Sequence, residues 1–243
     1  MRALVHKKLK AGWSPWQIEW HLKHDLSNEL EHKVTHETIY RYIYSHWERR
    51  NEFAPCLRRK RLSRVRQGSR KKRFPSCMLI STRPDEIEKR ETFGHWECDL
   101  MMFQRGIKHN LITLVERMSR YTIAIKNDNK QSKTTAYAII SRLKQYKPFI
   151  KSITFDQGSE FLKFPLIQDC LNTAVYFCNP ASPYQKGSIE NRNGVIRTIF
   201  PRNCNIFKVE QKELNTYVEL INERPMKCLN YYSPTKLFNN YTK

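Results

Sequence analysis

The chain has 243 residues, enough for one well-packed core and a small appendage. Forty-four Lys and Arg against 23 Asp and Glu give a formal charge of +21 and an isoelectric point near 9.8, an imbalance that calls for a polyanionic partner. A mean hydropathy of −0.71, with no apolar run near the roughly 20 residues of a spanning helix and no signal-peptide core in the first 30, argues for a soluble protein rather than a membrane one.

From the N-terminus, Leu4, Val5 and Leu9 make an apolar stripe that Gly12 breaks. Ser14-Pro15 is an N-cap with a first-turn proline, opening a helix through Ile18 and Leu22. Thr35 caps a further helix over HETIYRYIYSHW, with Glu37 in its first turn and Ile39, Tyr40, Ile43 and Tyr44 as its apolar face. Residues 1–48 therefore read as a helix-turn-helix region with a long connection, whose last helix presents Glu37, Arg41 and His36 to base edges or phosphates. A plain helical hairpin fits the same pattern. His32 and His36 have a helix-compatible spacing for metal ligands, but the nearby cysteines, Cys56 and Cys77, stand 21 apart, which argues against a zinc site. The seven cysteines are odd in number and scattered, so no disulfide framework is indicated.

Between Arg49 and Arg73 lie twelve basic residues and one acid, Glu52, which together hold +11 of the net charge. The densest clusters are Arg58, Arg59, Lys60 and Arg61, and Arg70, Lys71, Lys72 and Arg73. A segment so charged and so poor in apolar residues builds no core. Residues 49–90 thus read as a linker whose basic side chains neutralise phosphates without sequence preference.

From residue 91 to 243 the pattern is mixed. Phe93–Phe103, LITLVER and YTIAIKN read as three strands, the last two joined by a tight MSR turn. Lys130–Gln145 reads as a helix, Ser152–Phe155 as a strand, Ser159–Leu171 as a helix broken or bent at Pro165, and Ala174–Cys178 as a strand. A loop from Asn179 to Gly187 leads into a helix on which Lys186, Glu190, Asn193 and Arg197 share a face. A helix over Gln211–Glu223 and the segment YYSPTKLF close the domain as a helical cap. Three hairpin strands followed by alternating helices and strands give an α/β fold of RNase H-like type, a mixed five-stranded sheet with flanking helices, preceded by the small all-α region.

Three acids in this domain stand where apolar runs meet polar breaks: Asp99 in GHWECDL, Asp156 in ITFDQGSEF and Glu190 on the first turns of its helix. Gathered together, such carboxylates would repel one another without a cation, and hard divalent ions prefer oxygen ligands. Two such ions can activate an attacking hydroxyl and stabilise the leaving oxygen of a phosphodiester. Glu97 alternates onto the same face of its strand as Asp99, as a supporting carboxylate or a solvated charge, and Glu160 reads as a helix-start acid.

The words GHWECDL, LITLVERMSRY, TFDQGSEF, SPYQKGSIENRNGVIR and INERPMKCLNYYSPTKLF, in that order and with 33 residues between Asp156 and Glu190, resemble the DDE transposases of the IS30 group, relatives of retroviral integrases. The resemblance runs from about Gly12 to Phe238. It implies that Asp99, Asp156 and Glu190 are catalytic and hold two Mg²⁺ or Mn²⁺ ions, and that Lys186, Asn193 and Arg197 hold DNA beside them. It implies cleavage and strand transfer at the ends of an insertion element. The partners are then double-stranded DNA at element ends and target, and further copies of the chain, in a bacterial cytoplasm and on the nucleoid. Relatives carry a DNA-binding segment upstream, so a chain starting at Met1 is expected to be a shortened copy. Two rival readings remain: a truncated copy that binds element ends without catalysis, and a nuclease of this fold acting on RNA–DNA hybrids. The basic arm and the helix-turn-helix favour duplex DNA over hybrids.

Overall fold

A computed structural model describes residues 1–24, 34–53, 56–57, 74–104, 108–179 and 182–242. Near the N-terminus, helices form where their end signals stand: α1 (Arg2–Lys10), α2 (Pro15–His24) and α3 (His36–Tyr44). Ser14 and Gln17 close the start of α2 reciprocally, each backbone amide donating to the other's side-chain oxygen. Thr35 Oγ1 accepts the Thr38 amide at the start of α3. The expected long helix stops at Tyr44, and a separate α4 (Trp47–Phe53) follows. The start of the basic run is therefore helical, with the Arg49 guanidinium donating to Ser45 Oγ and lying over the Tyr42 ring. Val5, Leu9, Ile18, Leu22, Ile39, Ile43 and Phe53 form a small core.

These helices belong to one of two compact units, Met1–Val65 with Arg224–Ser233. Residues 224–233, expected to cap the α/β domain, group here for a physical reason. Arg224 Nη2 donates to the Ala11 carbonyl, Gln17 Nε2 donates to that of Pro225, and Tyr231 stacks on Trp20. His36, which the sequence offers to DNA, is turned inward, with Nδ1 2.6 Å from Glu19 Oε2 and its ring stacked on Trp16. Arg41 stays exposed beside Glu37. Arg58, Arg59, Lys60, Arg61, Arg70, Lys71, Lys72 and Arg73 lie outside the described residues.

The second unit spans Arg66–Glu223 and Pro234–Lys243. Its first described segment, read from sequence as the end of the linker, is folded instead. Phe74 stacks on Phe177, Leu79 bridges to the same residue, and a short α5 (Asp85–Lys89) follows. Then come β1 (His95–Met102), β2 (Asn110–Glu116), β3 (Thr122–Asn127), α6 (Ser132–Leu143), β4 (Ser152–Phe155), α7 (Phe164–Leu171) and β5 (Ala174–Phe177). The sheet order is β3-β2-β1-β4-β5, with β1–β2 and β2–β3 antiparallel and β4 and β5 parallel to β1. Hairpins join the first three strands, while α6 and α7 supply the crossovers that parallel pairing requires. This is the RNase H-like architecture. Pro165 sits in the first turn of α7, and the expected bend is a break between a short 3₁₀ turn and that helix.

Both faces of the sheet are covered, which is why β2 is buried along its whole length. Trp96, Cys98, Ile112, Leu114, Ile153 and Phe155 belong to a core shared with Ile139 and Leu143 of α6 and Ile167 of α7. On the other face Met101, Leu111 and Ala124 meet Ile196 of α8 (Gly187–Ile199) and Leu214, Val218 and Ile221 of α9 (Gln211–Asn222). The Gln211 side chain caps the outer edge of β3, accepting the Lys126 amide and donating to the Ala124 carbonyl. A last helix, α10 (Pro234–Thr242), sets Phe238 among Phe93, Trp96, Tyr121 and Tyr146. No helix among the described residues is long and apolar enough to cross a membrane.

Candidate active site

The alternation of β1 decides which side chains face α8. Trp96 and Cys98 enter the core on the α6 side, so Glu97, Asp99 and Met101 turn to the opposite face. Each β1 residue paired with β4 faces the residue 57 positions on, from His95 with Ser152 to Glu97 with Thr154. Carried two residues beyond the paired span, that offset matches Asp99, inside β1, to Asp156, just past the carboxyl end of β4, and both carboxylates act on Lys186. Gly158 shapes the turn after Asp156. Its amide donates to Asp156 Oδ1 at 3.0 Å, and its missing Cβ leaves room for the Glu160 carboxylate, which would stand 2.4 Å from it. Glu160 stands in the first turn of a short 3₁₀ helix, as the sequence suggests, and is also buried and paired with Lys130 at 3.4 Å.

The helix that follows lays its polar face on β1. Lys186 Nζ lies 2.8 Å from Asp99 Oδ1 and 3.2 Å from the Cys98 carbonyl, while Asn193 Nδ2 donates to Asp99 Oδ2 at 2.7 Å. Arg197 donates to the Met102 carbonyl and lies over the Phe103 ring. The sequence gives these three side chains to DNA phosphates; here each is hydrogen-bonded to β1 or its flank. Lys186 is only 7% exposed. Burial works against its charge, yet the Asp99 and Asp156 carboxylates outweigh that cost and hold its pKa above the ordinary lysine range. Burial also pushes the Cys178 thiol up to about 12, against the pull of Lys186, so it stays protonated.

Glu190 stands half-buried in the first turn of α8. An all-carboxylate donor set of Asp99, Asp156 and Glu190 would have the right chemistry for a hard divalent ion. Among the described residues, however, no three His, Cys, Asp or Glu are drawn together closely enough to hold an ion. Lys186 and Asn193 instead engage the two oxygens of Asp99.

One arrangement goes beyond the sequence reading. Glu97 is fully buried, Oε1 paired with Arg117 Nη1 and Oε2 accepting the Ile189 amide at 3.0 Å. Arg117, itself 1% exposed, also donates to the Ile87 carbonyl and reaches Glu88 at 3.3 Å. The only signal in the sequence is the spacing of Glu97 and Asp99 on one face; nothing there marks Arg117 as a partner.

Residues 89–183 match the integrase core domain, a match that ends before Glu190. The chain is 34% identical over 198 residues to the transposase of insertion sequence element IS1086 from Cupriavidus metallidurans, covering 80% of this chain and 58% of that protein. It is 38% identical over 160 residues to a probable transposase of element IS1161 from Streptococcus salivarius, covering 65% of this chain and 45% of that one. Against the transposase of element IS30A from Escherichia coli it is 36% identical over 160 residues, 65% of this chain and 41% of the relative. The chain thus spans about half the length of these relatives. Among solved structures, the catalytic core domain of BIV integrase superposes with a TM-score of 0.48 at 14% identity, over 60% of this chain and 94% of that one.

Proposed function

Since the chain belongs to the IS30 family of insertion-sequence transposases, with an integrase core domain, we propose that it cuts DNA at the ends of an insertion element and joins the freed ends to a target. In cleavage, water forms a bond to phosphorus, the 3′-oxygen leaves, and that oxygen takes up a proton. In joining, the 3′-hydroxyl attacks a target phosphodiester. One P–O bond forms as another breaks, so no nucleotide cofactor is consumed.

What supports this reading is the β1–β4 pairing, whose offset matches Asp99 to Asp156, together with the hydrogen bond to Asp99 from Asn193, on the helix that bears Glu190. Asp99, Asp156 and Glu190 would hold two Mg²⁺ or Mn²⁺ ions, which activate an attacking oxygen and stabilise a leaving one. Asn193 orients Asp99, and Lys186 offsets the charge of both aspartates. Arg41 on α3 and the basic run of residues 58–73 are left to bind phosphates, with the first helices reading the element end as a helix-turn-helix. Lys186, Asn193 and Arg197 would reach phosphates only by giving up their present partners on β1 and its flank. Joining two ends calls for at least two copies of the chain on DNA, in the bacterial cytoplasm where the nucleoid lies.

A strand-transfer assay with the inverted repeats flanking the gene, a labelled precut end and Mg²⁺ tests this. The expected product is the labelled strand joined to target DNA. Degradation of an RNA–DNA hybrid without joining, or end binding without any nick, would contradict it.

A further inference from the structure

The first turn of a helix leaves backbone amides without intrahelical partners. In α8 the Ile189 amide, next to Glu190, is taken by Glu97 Oε2 at 3.0 Å. Glu97 lies two residues before Asp99 on the same face of β1, so one side chain ties the two halves of the acidic site together. The same turn is held from the β2–β3 hairpin as well. Arg120 Nη1 donates to Ser188 Oγ, and Arg192 donates to the Arg120 carbonyl at 3.0 and 3.2 Å.

A fully buried carboxylate is costly unless paired, and a well-packed apolar residue would serve stability as well or better. Arg117 covers the charge of Glu97 but leaves open why the site has a charge at all. The second oxygen supplies a reason, because an anion at a helix start both accepts an orphan amide and matches the dipole.

We propose that Glu97 is a positioning residue, whose buried carboxylate fixes the first turn of α8, and with it Glu190, against the strand that carries Asp99. This rests on the assignment of Asp99 and Glu190 to one reacting site. Glu97 touches neither substrate nor the reacting atoms; it acts through the helix.

The test compares two double variants in which the buried charge pair is removed. Glu97→Gln with Arg117→Met keeps an acceptor for the Ile189 amide, whereas Glu97→Met with Arg117→Met does not. Nicking of an element end by the first should stay within about threefold of the unaltered chain, and that by the second should fall at least about thirtyfold in turnover, as small misplacements of reacting groups do. End affinity should match in both. Equal nicking rates in the two variants would overturn the proposal. Should either variant fail to fold, hydrogen exchange on the unaltered chain decides. The Ile189 amide should exchange as slowly as the buried amides of β1, and exchange as fast as an exposed loop amide would overturn the clamp. If the unaltered chain nicks no DNA while Ile189 is protected, the transposase reading fails and the clamp stands.

Discussion

At the scale of single residues, the neighbourhood of the site is built from paired charges, most of them buried. Lys186 and Asp99 neutralise each other, as do Glu97 and Arg117. His95 differs, a buried imidazole that shares a hydrogen bond with Ser152 Oγ at 2.8 Å and feels the cations of Lys151, Arg117 and Arg83. Burial, then Lys151, Arg117 and Arg83, lower its pKa to about 4. The unfolded chain therefore binds this proton more readily than the folded one. The contribution of neutral His95 to stability is complete above about pH 6.5 and is lost as pH falls toward 4, by up to about 2 kcal/mol once solvent screening is allowed for. Thermal melts over that range should show a steeper loss for the unaltered chain than for His95→Asn. Parallel profiles would contradict the assignment.

At the scale of elements, α10 and α8 make an instructive pair, since they lie on opposite faces of the sheet. Phe238 in α10 packs against Tyr121 with centroids 4.0 Å apart and meets Trp96 edge-on. Phe238→Ala should cost about 3–5 kcal/mol in denaturant unfolding while leaving nicking per folded molecule unchanged. A loss of nicking without a loss of stability would show that α10 takes part in the chemistry. The strands were legible because apolar runs such as LITLV are long and flanked by polar turns, and Ser152–Phe155 falls where the sequence puts it. Helix ends were less so. The helix from His36 stops at Tyr44, a break that nothing in the apolar spacing marks. The fold of residues 74–90 was hidden as well, since its anchors are scattered side chains such as Phe74, Leu79, Arg83 and Ile87. Least legible was the β1–β4 register, because pairing across a crossover leaves no local pattern. The acids themselves could be picked out from their positions at the ends of runs; the inward turn of Lys186 and Asn193 could not, because a polar helix face looks the same whether it meets solvent or a buried carboxylate.

At the scale of the whole molecule, the chain divides into a small helical unit and a sheet-bearing unit, and residues 49–73 of the sequence carry +11 of the +21 charge. Segment 224–233 returns to the helical unit, so the two units are joined by more than one crossing of the chain. The proposed function would use this division, with sequence-independent phosphate contacts and the acidic site supplied by different segments of the sequence. The central claim is that Asp99, Asp156 and Glu190 act as one set on a phosphodiester. The measurement that tests it most directly is nicking of a labelled element end in Mg²⁺ by Asp99→Ala, Asp156→Ala and Glu190→Ala, with end affinity measured alongside. Each substitution should lower nicking by on the order of a thousandfold or more while affinity changes little, as groups acting as a unit do. Nicking at the unaltered rate by any one of the three would contradict the account.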